Sequence, residues 1–154
     1  MNEEHREHLR KAASSLKLLD IYLLEASFKR PAGDLVSAWD GKGVQQGKRG
    51  VKFVRADALH QDQNIPVIEF QVELGYRVVT DPEASEPVVV FEIEARYTVV
   101  YECAVEVADD VASSFAELNA VHIVWPFWRQ HVFDIVQRSR LPHLEVPLLA
   151  GLAT

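Results

Sequence analysis

The chain has 154 residues, 48% hydrophobic and 25% charged, which suits a globular protein with a sizeable core and argues against disorder. Its formal charge is −7, from 16 basic and 23 acidic residues, and the only basic cluster is Lys48-Arg49, so nucleic acid is excluded as an expected partner. Cys103 is the single cysteine, which rules out an intrachain disulfide and fits a reducing compartment. The N-terminus lacks an apolar signal core, and no run approaches the ~18 apolar residues of a membrane span, so a cytoplasmic protein without membrane insertion is expected.

In chain order, residues 3–17 predict a helix. Leu9, Ala12, Ala13 and Leu16 recur at helical spacing, and Glu3, Glu4 and Glu7 suit the positive end of its dipole. The stripe is thin, so either this helix docks on a neighbour or it is a solvated terminal helix; residues 1–17 are set apart from a main domain over 18–154. Leu18 to Arg30 reads as a strand closed by Pro31. Residues 32–50 carry five of the seven glycines and predict a long crossover loop in which Trp39 either pins the loop or serves function. Val51 to His60 is a second, less regular strand. Val67 to Thr80 and Val88 to Cys103 alternate apolar and polar residues with the period of two of antiparallel strands that have one packed face, and their adjacency predicts a hairpin. Asp109 or Asp110 is placed to cap a helix carrying Val111, Phe115 and Leu118. A less regular bridge over 119–124 then leads to Pro126 in the first turn of a helix ending near Ser139. Pro142 and Pro147 forbid regular helix beyond it. The order defines an α+β fold: a four-stranded antiparallel sheet with helices packed on one face.

Catalytic and metal signals are sparse. His5 and His8 are three apart on the first helix, and His122 and His131 do not share a ligand spacing; no HExxH, CxxC or phosphate-binding glycine loop occurs, so no metal or cofactor is expected. The couple His131–Asp134 is the one candidate centre for an enzyme, and no serine elbow accompanies it. It supports only the alternative of a small thioesterase-like enzyme or ligand-binding protein.

Apolar surface is the stronger signal. At ~100° per residue, Val132, Ile135 and Ser139 share a face with Trp128, with Val136 at its edge and Gln130, Asp134 and Gln137 opposite. Trp125, Phe127 and Trp128 can together bury on the order of 500 Å², worth on the order of 10 kcal/mol, and need a core, a subunit interface or a ligand to cover them. Trp128 is open between core and interface, whereas Trp125 and Phe127 are expected to border an exposed groove.

These residues resemble those of SecB, the tetrameric export chaperone, and of its relatives associated with toxin–antitoxin systems. The pattern is Trp125-Pro126-Phe127-Trp128-Arg129, then an apolar helix, then Arg138, Leu141-Pro142 and Leu144. Upstream, Glu25-Ala26-Ser27-Phe28 with Pro31, Trp39 in the crossover loop and Val51-Lys52-Phe53 fall in the same order. The resemblance implies a SecB-like fold assembled as a homotetramer, a dimer of dimers. It also implies an ATP-independent holdase, not an enzyme, that binds unfolded polypeptides and takes part in export or in chaperoning an antitoxin. The implied client contacts are Trp39, Val51, Phe53, Trp125 and Phe127. Glu25 and Glu92 match the acidic surface that meets the translocase motor SecA. Lys29 stands where a glutamate is expected, and SecB proper continues beyond such a tail into an acidic segment, so SecA delivery is left open. The N-terminal helix and Val132-Phe133-Asp134 look more like the toxin–antitoxin relatives.

Overall fold

The computed structural model describes residues 2–30, 43–80, 83, 85–141 and 144–148. They form α1 (Glu3–Ser15), β1 (Leu16–Lys29), β2 (Val44–His60), β3 (Gln63–Thr80), β4 (Val88–Cys103), α2 (Asp109–Phe115), a π-helical turn (Ala116–Ala120) and α3 (Val121–Arg138). The strands make one antiparallel sheet in the order β1-β4-β3-β2. Among the described residues no helix is long and apolar enough to cross a membrane. Two compact units alternate along the chain. One comprises Met1–Leu24, Gly50–Val72 and Tyr97–Val124; the other comprises Glu25–Arg49, Glu73–Arg96 and Trp125–Thr154.

In the first unit, period-two alternation puts Phe70 of β3 and Tyr101 of β4 on the packed face, where Phe115 of α2 meets both. The Phe115 ring lies 5.6 Å from Phe70 and 5.2 Å from Tyr101, the latter edge-on at 87°. Phe53 of β2 closes the cluster 6.2 Å from Phe70. Asn2 caps α1 by accepting from the His5 N–H at 2.9 Å, with Glu3 and Glu4 in the first turn. The thin alanine stripe does find a neighbour: Ala12 is buried and α1 packs on α2, with His5 Nε2 2.9 Å from Ser114 Oγ. The expected Asp cap of α2 is not formed. Ala108 is the N-cap and makes no side-chain cap bond, while Asp109 and Asp110 stand inside the first turn, where Asp109 pairs with Arg55 at 2.9 Å.

In the second unit, Trp128 of α3 is fully buried, its ring 5.4 Å from Tyr76 of β3. On the other face of the sheet, Lys48 reaches over Gly75 to pair with Glu73 at 3.0 Å and with Glu94. The hydrogen bond from Lys48 holds the Glu94 carboxyl below its ordinary value. Here the structure corrects the loop expected over 32–50, because Val44–Gly50 is strand. Gly47 is a packing residue: a Cβ there would stand 3.1 Å from the Tyr76 ring. Residues 31–42, including Trp39, lie outside the described residues.

Pro126 also differs from expectation. It sits inside α3 and not in a first turn, so the carbonyl of His122 loses its helical donor. The bridge expected over 119–124 is itself helical, continuing from the π turn into α3.

β2 and β3 are joined by Gln61 and Asp62, both left-handed at φ 51° and 62°, the geometry of a two-residue hairpin turn that favours Asn-Gly. Gln61 is strained there, and Asp62, which tolerates the region, is still less favoured than glycine. The double change Gln61→Asn, Asp62→Gly is expected to raise stability by about 1 kcal/mol, readable as a higher urea midpoint at unchanged m-value.

Candidate functional site

The second unit holds an extended segment, Leu144–Leu148, against β2 and α3. Helical spacing places Trp125 and Arg129 one turn apart on α3, and both reach the segment. The Trp125 indole N–H donates to the Pro147 carbonyl at 2.8 Å, and Arg129 Nε donates to the Val146 carbonyl at 3.3 Å. From β2, Gln45 Nε2 donates to the Glu145 carbonyl at 2.9 Å. Three successive main-chain carbonyls are therefore held by side chains. Leu144 and Val146 are buried with Glu145 exposed between them, the alternation of an extended chain, which ends before the exposed Leu148 (73%). The Arg129 guanidinium lies 5.3 Å from the Phe133 ring centroid, which fixes its direction.

The sequence-derived site residues are divided. Val51 and Phe53 belong to β2 in the first unit, half-buried; Phe53 lies in the aromatic cluster with the Arg55 guanidinium 5.6 Å from its ring. Phe127 is exposed at 52% on α3. Trp125, expected at the border of an exposed groove, is instead only 5% exposed, lying under its own chain's tail. Three residues before Trp128 it stands only ~60° around the helix, within the apolar stripe. Trp128 is core at 0% exposure, which decides between the two roles left open for it. Glu25 pairs with Arg96 at 3.5 Å, and Glu92 shares one side of β4 with Glu94 and Arg96 at period two, so both acidic residues lie on the polar face of the second unit. Arg129 and Leu144 belong to the motif that carries the resemblance, but Gln45 and the grip on the tail's carbonyls are not signalled by it; the period-two spacing of Leu144 and Val146 is what marks the extended segment.

His131 and Asp134 do not form the couple a hydrolytic centre needs. Asp134 accepts from Gln130 Nε2 at 2.8 Å, while the His131 ring stacks on Trp128 with centroids 6.0 Å apart. His131 Nε2 is buried without a partner. Burial holds the imidazole below its ordinary 6.5, against the opposing pull of Asp134. The unfolded chain therefore binds this proton first. Stability is expected to fall as pH drops from 6.5 toward the folded value and to be independent of this group above 6.5. His131→Leu should flatten that slope in urea midpoints taken across the same range. No cluster of three His, Cys, Asp or Glu residues placed to hold a metal occurs among the described residues.

The fold that carries this segment is that of the SecB-like chaperones. A SecB-like chaperone of Mycobacterium tuberculosis, solved in complex with a ChAD peptide from the HigA1 antitoxin, matches with a TM-score of 0.59 over 95% of this chain and 99% of that chain. The two share 14% sequence identity, so the likeness is one of fold. No protein-family model matches the sequence, and no curated protein does.

Proposed function

We propose that the protein is an ATP-independent holdase chaperone that binds unfolded or extended polypeptides, preproteins or an antitoxin, and performs no catalysis. The observation that carries this reading is the Leu144–Leu148 segment, an extended chain gripped through its main-chain carbonyls. Such a grip takes hold of a polypeptide without reading its sequence, as a chaperone must. The shared fold with a chaperone solved with an antitoxin peptide points the same way, although a fold alone would not carry function.

Clients are held by Trp39, Val51, Phe53, Trp125 and Phe127. The protein acts in the cytoplasm as a homotetramer, a dimer of dimers. Edge strand β1 offers exposed Leu18, Tyr22, Leu23 and Leu24 as apolar surface that such an assembly would cover. Glu25 and Glu92 are the acidic residues available to SecA if export is the task. The test is suppression of aggregation of a chemically denatured model protein, with light scattering to fix the assembly. Full suppression by the wild-type protein and its loss on Trp39→Ser with Phe53→Ser are expected. No suppression at one tetramer per client, or undiminished suppression by the double variant, would count against the reading.

A further inference from the structure

We propose that the tail Leu144–Leu148 is a built-in competitor: it occupies the site that an extended client segment with apolar residues at alternate positions would take, and it leaves when that client binds. This rests on the chaperone reading above and adds a regulated site to it. The donors Gln45, Arg129 and Trp125 all bind main-chain carbonyls, which every polypeptide supplies. The tail's own contribution is a pair of buried aliphatic side chains two positions apart, Leu144 and Val146, a pattern common in unfolded chains. A client segment of that pattern satisfies the same donors.

Exchange is favoured over vacancy. Trp125 is buried, and its indole N–H needs an acceptor; a departed tail with no replacement leaves a buried donor unsatisfied, whereas an incoming carbonyl restores the bond. The tail begins six positions after Arg138, the last residue of α3, so its tether is short and its effective concentration at the site is high. A short, weak segment therefore outcompetes casual peptides and yields to a longer client that gains contacts elsewhere. The site is closed by default and opened by a strong client.

The probe is a fluorescein-labelled peptide with the sequence of His143–Leu149, titrated into the 154-residue chain and into its Val146→Asp variant, whose tail cannot re-enter an apolar seat. Binding to the variant is expected to be on the order of tenfold tighter, since the competing state is removed. In parallel, hydrogen exchange at the amides of Leu144, Glu145, Val146 and Leu148 in the wild-type protein is expected to accelerate when saturating denatured client is added. That second measurement decides the matter should Val146→Asp fail to fold. Equal peptide affinity for both proteins, or tail exchange unchanged by a client that the protein still keeps soluble, overturns the competitor and leaves the chaperone reading standing. If the wild-type protein neither keeps a denatured client soluble nor binds one, both readings fall together.

Discussion

Replacing Trp128 by alanine is expected to lower the unfolding free energy by about 3–5 kcal/mol. The indole is fully buried, packed 5.4 Å from Tyr76 and stacked on His131, so its loss opens a cavity lined by rigid rings that cannot collapse to fill it. Against a total stability of about 5–15 kcal/mol for a domain, that is a large share. A fall in melting temperature on the order of 10 °C should follow for a chain of this length. Phe127→Ala is the matched control. It sits one position away with its side chain half in water, and a stability change within about 0.5 kcal/mol is expected. Chemical denaturation of the pair would show whether the two adjacent aromatic residues divide as their burial indicates. Equal losses in the two variants would contradict the packing described for α3.

The second large effect is expected at Phe70. Its ring joins Phe53, Tyr101 and Phe115, and removing it leaves three aromatic neighbours facing a void. Phe70→Ala should cost about 3–5 kcal/mol, whereas Phe70→Leu, which keeps most of the volume, should cost much less. The edge-on pair Tyr101–Phe115 depends on the same ring for its support, so near-ultraviolet dichroism should weaken in Phe70→Ala more than in Phe70→Leu. Identical stabilities for the two variants would mean that the cluster does not depend on the ring's bulk.

The parts of this fold that were legible in sequence are those where one face is packed and the other is wet. β3 and β4 read directly because Phe70 to Val78 and Phe91 to Tyr97 alternate with mainly polar residues, and the burial follows that alternation until Thr98 and Val100, where both faces of β4 are buried. The start of β2 was hidden because glycine stands for two different needs. Gly47 looks like loop punctuation, yet it is small because the Tyr76 ring fills the space above it. Pro126 misled in the same way. A proline is easiest at a helix start, and only tertiary packing explains one carried within α3. Trp125 shows a third limit. Its place on the apolar stripe could be counted from Trp128, but the tail that covers it lies 22 positions downstream of the Trp125 side chain it meets, and local periodicity carries no information on that contact. Of the three donors of the candidate site, Trp125 was named from the sequence, whereas Gln45 was not and Arg129 had no role assigned: both are ordinary polar residues until an extended segment lies beside them.

Lys48 and Gly75 also bear on how this protein can change over time. A Cβ at position 75 would fall 2.8 Å from Lys48 Cε and 2.9 Å from Cγ, so the lysine stem can cross there only over a glycine. The two positions thus form a single evolutionary choice. A lineage that acquires a side chain at 75 must give up or reroute the lysine at 48, and with it the partner that Glu73 and Glu94 share. Among homologues the four positions should therefore turn over as a set, with an acidic pair surviving only where the lysine and the glycine survive together.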